Sequence, residues 1–111
     1  MSNEAHQAHE ALTRGDGFSV LPGLLTAGEA SEARNRVLAL KDHATHNDDG
    51  ILALSNMIHR DSYFGGLVVH PRLLALVHRL LGEDARLAAV GGRILMPGCQ
   101  PGGLHVDYPY W

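Results

Sequence analysis

The stretch that decides the fold is Arg86–Trp111, RLAAVGGRILMPGCQPGGLHVDYPYW. The chain reads as strand from Ala85 to Met96, with an interruption at Gly91-Gly92 that points to a bulge or close packing. Pro97–Gly103 holds two prolines and three glycines, a loop composition. Leu104–Tyr108 then reads as the start of another strand. Residues i and i+2 of a strand share a face, so His105 and Asp107 deliver an imidazole and a carboxylate to one point. Those are two corners of a 2-His-1-carboxylate facial triad, the ligand set of non-haem iron sites that keep open positions. Tyr108, Tyr110 and Trp111 follow directly. They are half of the chain's six aromatic residues, concentrated where a pocket wall would be useful.

The spacing alone carries little. With 8 His and 12 acidic residues in 111, chance supplies about one His-x-acid pair, and the chain holds three. His46-Asn47-Asp48 lies in the polar run His43–Gly50, HATHNDDG, which reads as an exposed loop. His59-Arg60-Asp61 lies in a polar break where Asp61 or Ser62 suits an N-cap, with a substrate contact as the alternative. His105-Val106-Asp107 sits in an alternating apolar setting after a Pro/Gly loop; its bland alternative is an ordinary strand with a polar face.

Working back from this segment, Pro71 suits the first turn of a helix whose apolar stripe is Leu73, Leu74, Val77, Leu80 and Leu81. Gly82 ends it. Thr26-Ala27-Gly28-Glu29 fits a capping box and opens a helix to about Lys41, with Ala30, Ala33, Val37 and Leu40 on one face. Ile51–Leu54 is a short apolar run of ambiguous type. Phe18–Leu21 alternates apolar and polar before Pro22-Gly23, as a short strand would. Glu4–Arg14 has helical composition and stops at Gly15-Asp16-Gly17. The expected class is α+β, with helices packed on the first strands of an unfinished sheet. Residues 1–16 form an N-terminal helix (with mobility as the alternative), 17–84 a helical support region and 85–111 the strands carrying the His-x-Asp pair, all within a single partial domain.

Composition excludes several classes. A net charge of −3 without a Lys/Arg cluster gives no phosphate-binding face, so nucleic acid is not expected. No apolar run approaches a membrane span, and the polar, acidic start MSNEAHQAHEAL shows no secretory signal. The single Cys99 excludes an intrachain disulfide or multi-cysteine zinc site, and the expected compartment is the cytoplasm.

The segment Arg86–Trp111 resembles the region around the first metal motif of the phytanoyl-CoA dioxygenase family. So does the preceding HPRLLALVHRLLGEDARL, His70–Leu87, in which a Pro-started, leucine-rich helix ends in Leu-Gly and feeds a strand. The early stretch Gly17–Thr26, GFSVLPGLLT, is similar to the family's opening. Together the similarity covers nearly all of the chain after Gly15. It implies a double-stranded β-helix of jelly-roll or cupin type, here incomplete, with Fe(II), 2-oxoglutarate and O2, and hydroxylation of an unactivated carbon in a small organic substrate. On it, His105 and Asp107 map onto the metal ligands and Trp111 onto an aromatic residue found in some relatives near the cofactor. Tyr108 and Tyr110 become substrate-pocket candidates. Arg93 is a candidate contact for the cofactor carboxylate, the alternative being a surface strand arginine.

The family's second histidine and its 2-oxoglutarate arginine follow the His-x-Asp pair at a distance, and nothing follows Trp111 in this sequence. The resemblance therefore leads us to expect an N-terminal fragment, inactive alone. A short non-catalytic α/β module that binds a partner through its exposed edge and aromatic C-terminus is the alternative, and an open sheet edge favours self-association. A small hydrolase finds no support, since no G-x-S-x-G nucleophile motif is present.

Overall fold

In a computed structural model the chain is described over residues 3–105. It is an α+β structure in which five α-helices accompany a three-stranded antiparallel sheet. The elements run α1 (Asn3–Thr13), α2 (Ala27–Ala39), β1 (Thr45–His46), β2 (Ile51–Leu54), α3 (Met57–Arg60), α4 (Tyr63–Val68), α5 (Pro71–Leu81) and β3 (Gly92–Leu95). The sheet order is β1-β2-β3.

Local chemistry accounts for the helix ends. The Thr26 hydroxyl accepts from the Glu29 N–H at 3.2 Å and the Glu29 carboxylate accepts from the Thr26 N–H at 2.7 Å, so two otherwise orphaned donors are satisfied reciprocally. Pro71 opens α5. Gly82 closes that helix at φ 91°, where a side chain would be strained, and its N–H donates to the His78 carbonyl at 2.9 Å.

Pairing across the sheet sets Leu52 opposite Ile94 and Leu54 opposite Gly92. Leu52, Leu54 and Ile94 are buried with Met57 and Phe64 in the main core, against which Val37, Leu40 and Leu67 pack. Strand alternation sends Ile51, Ala53, Arg93 and Leu95 to the opposite face. Arg93 and Leu95 are exposed there.

Several expectations need correction. Phe18–Leu21 alternates but is not a strand: Phe18 and Val20 are 65% and 73% exposed, and no neighbour takes up their backbone groups as a ladder. Of Ala85–Met96 only Gly92–Leu95 is strand. The region read as helical support supplies β1 and β2, and with them two of the sheet's three strands. Part of the polar run His43–Gly50 is ordered as β1, paired through Thr45 to Ala53 and His46 to Leu52. On α5 the buried residue is Leu76, while Leu81 is 71% exposed.

The reason is α1, which docks on α5 with Ala5 and Ala8 buried. The N-terminal helix is thus held in place. Arg72 fastens it, donating to the Glu4 carboxylate and to the carbonyls of Pro22 and Gly23 at 2.8 and 3.0 Å.

Candidate functional site

The site region is built on the far end of β3. Beyond Leu95 the chain turns through Pro97–Gly103 and is anchored to the β1–β2 turn. The Met96 N–H donates to the Gly50 carbonyl at 3.2 Å and the Gln100 N–H to the Asp49 carbonyl at 2.8 Å. Cys99 packs on Gly50, leaving only 3.1 Å between its Cα and the position a Cβ would occupy. His105 stands five residues past this anchor and is exposed.

The His105 ring has Nδ1 2.9 Å from the Gly103 carbonyl oxygen. A carbonyl only accepts, so Nδ1 carries the proton, and a neutral ring then holds its lone pair on Nε2. Histidines that ligate metals commonly make this arrangement, donating from one nitrogen to a carbonyl while the other faces the ion. The donor chemistry at His105 therefore fits a metal ligand. Asp107, Tyr108, Tyr110 and Trp111 lie outside the described residues. Among those described, no group of three or more His, Cys, Asp or Glu side chains is placed to hold a metal ion.

Arg93 is brought to the sheet face turned away from the main core, where it is exposed. His46 falls on exposed β1 and Asp48 in the turn after it. The pair His59 and Asp61 is resolved in favour of structure. Asp61 accepts from the Tyr63 N–H at 3.0 Å and takes both oxygens to Arg36 Nη1, each at 3.0 Å. The Tyr63 hydrogen bond, then the Arg36 pairing, holds the Asp61 carboxyl below its ordinary range. Such a carboxylate is already committed.

Sequence reasoning missed an apolar cavity of ≈ 430 Å³ between α2, α4, α5 and the start of β3. Leu24, Val37, Phe64, Leu73 and Gly92 are among its walls. No single local signal marks it, because its walls come from segments distant in sequence.

No protein-family model, curated protein or solved structure matches the chain. No described helix is long and apolar enough to cross a membrane.

Proposed function

We propose that the chain belongs to an Fe(II)/2-oxoglutarate-dependent dioxygenase of the phytanoyl-CoA dioxygenase type, in which His105 and Asp107 are two of the three protein ligands to iron. The observation that carries this reading is the Nδ1–H of His105 donated to the Gly103 carbonyl, the bond that a metal-ligating histidine commonly makes with its non-ligating nitrogen. Its support from the fold is an antiparallel sheet packed against helices on one face, with Arg93 and Leu95 exposed on the other, as the first strands of a jelly roll would be. The bound iron and cofactor would supply the oxidising chemistry with O2. This chain's part is to hold the metal with one imidazole and one carboxylate, and Tyr108, Tyr110 and Trp111 are its candidates for a pocket wall. Arg93 is the candidate partner for a cofactor carboxylate. On this reading the two ligands named here form a half-site, and among the described residues no group of three or more His, Cys, Asp or Glu is placed to hold a metal ion. One cysteine suits a reducing cytoplasmic setting.

The test is anaerobic titration with Co(II) in place of Fe(II), followed by calorimetry and visible absorption, with and without 2-oxoglutarate. Weak binding that is lost in the double variant His105→Ala/Asp107→Ala is expected. Binding unchanged in that variant overturns the assignment.

A second reading, a non-catalytic binding module, is favoured by one observation: β3 lies at an edge of the sheet.

A further inference from the structure

The direction in which β3 offers its backbone follows from the ladder. Met96 donates to Gly50, and Asn47 donates to Ile51 at 3.3 Å. Hydrogen-bonded and non-bonded pairs alternate in an antiparallel ladder, so Ile94 and Gly92 exchange bonds with Leu52 and Leu54. The N–H and C=O groups of Arg93 and Leu95 then point away from β2, to the edge that no described strand occupies. The apolar cavity reaches this same edge, since Gly91 and Gly92 are part of its wall. Among the described residues Arg93 makes no ion pair.

We propose that the edge of β3 that no described strand occupies takes up an extended peptide of alternating apolar and acidic residues as a fourth, antiparallel strand. Partner residues opposite Arg93 and Leu95 exchange backbone hydrogen bonds with them and share their exposed face. An acidic residue there meets the Arg93 guanidinium. Partner residues opposite Gly92 and Ile94 turn to the other face, where an apolar side chain meets the rim of the cavity beside Gly91 and Gly92. Charge selects such a peptide over a second copy of this chain. A two-fold β3–β3 pairing centred on Ile94 would set Arg93 against Leu95 of the second copy and bring no acid to it. Neither His105 nor a metal takes part; the proposal rests on the binding-module reading, since the iron reading gives Arg93 to the cofactor and a neighbouring jelly-roll strand to this edge.

The experiment uses the full chain in chelator-containing buffer. The probe is a fluorescein-labelled hexapeptide, blocked at both ends, in which valine and glutamate alternate; binding is read by anisotropy. Saturable binding is expected, with the lysine-for-glutamate counterpart binding about tenfold more weakly. Arg93→Glu, at an exposed position, should invert that preference. Leu95→Pro should weaken binding severalfold, since it removes an edge-facing N–H and leaves the ladder to β2 intact. A peptide N-methylated at alternate residues should not bind. Absence of saturable binding overturns the proposal, as does binding indifferent to N-methylation and to Leu95→Pro. The chain's own Val106-Asp107-Tyr108 has the same alternation; if the peptide binds only to Asp107→Lys, the edge belongs to that segment and a separate partner is ruled out. Concentration-dependent dimerisation that the peptide cannot displace gives the edge to a second copy and also overturns it.

Discussion

Arg36 on α2 holds both carboxylate oxygens of Asp61, 25 positions further along the chain, at 3.0 Å each. The same guanidinium lies 4.7 Å from the centre of the Tyr63 ring and donates to Glu32 at 2.6 Å. The Tyr63 hydroxyl in turn donates to the Glu29 carbonyl at 3.1 Å. This network ties α2 to the α3–α4 corner that supplies Met57 and Phe64 to the core. Replacing Asp61 by Ala should therefore lower Tm by a few degrees. Asp61→Asn should cost less, because its side-chain oxygen still accepts from Tyr63. Thermal melts of the two variants check the order.

The same carboxylate fixes a pH dependence. The Asp61 carboxyl is held below its ordinary value of 3.8 by the Tyr63 hydrogen bond first and by Arg36 after it. A group depressed in the folded state contributes fully above its unfolded value and loses that contribution as pH falls through the folded one. Glu4, held down chiefly by the hydrogen bond from Arg72, behaves alike. Melts at pH 7 should separate wild type from Asp61→Ala, and the gap should close progressively below about pH 4.

Gly92 faces Met57 so closely that a Cβ would stand 2.7 Å from the thioether sulfur. Gly92→Ala must displace that side chain and should destabilise by about 1–3 kcal/mol. Urea unfolding of Gly92→Ala, Met57→Ala and the double variant measures the coupling. The double variant should cost less than the two single costs added together, since shortening Met57 makes room for the new methyl.

Neighbouring faces of the sheet should answer differently to the same truncation. Leu52→Ala removes a residue 4% exposed and should cost about 2–5 kcal/mol. Leu95→Ala acts on a residue 64% exposed and should fall within about 0.5 kcal/mol of wild type. Equal costs in chemical denaturation would show that the open face is covered in solution.

Neutral His105 should be the Nδ1–H tautomer. Long-range ¹H–¹⁵N spectra distinguish the two ring nitrogens directly. On adding Zn(II), the shift should appear at Nε2 and not at Nδ1. The chain alone should release no succinate from 2-oxoglutarate; His105-dependent release would show the half-site description to be wrong.

Short-range signals were legible and long-range ones were not. The capping box at Thr26 and Glu29, the Pro71 start and the Gly82 stop each act within one helical turn, so the residues alone specify α2 and α5 closely. The choice among three His-x-acid pairs was partly legible: the capping role of Asp61 follows from its place before Tyr63. That Arg36 also claims it needed the fold, because the two lie on different helices. The cavity, and the burial of Leu76 under α1, were invisible for the same reason.

By itself the sequence determined where α1, α2 and α5 lie, though not α3 and α4, that the class is α+β, and that His105 and Asp107 are spaced to share a face if that segment is extended. Only the tertiary structure decided which extended segments became strands. Phe18–Leu21 and Ala85–Val90 carry apolar residues but pair with no described strand, while the ambiguous Ile51–Leu54 lies between β1 and β3 and is strand. A helix satisfies its backbone within itself, so its signals are local. A strand satisfies its backbone through a neighbour, and that neighbour is chosen by the fold.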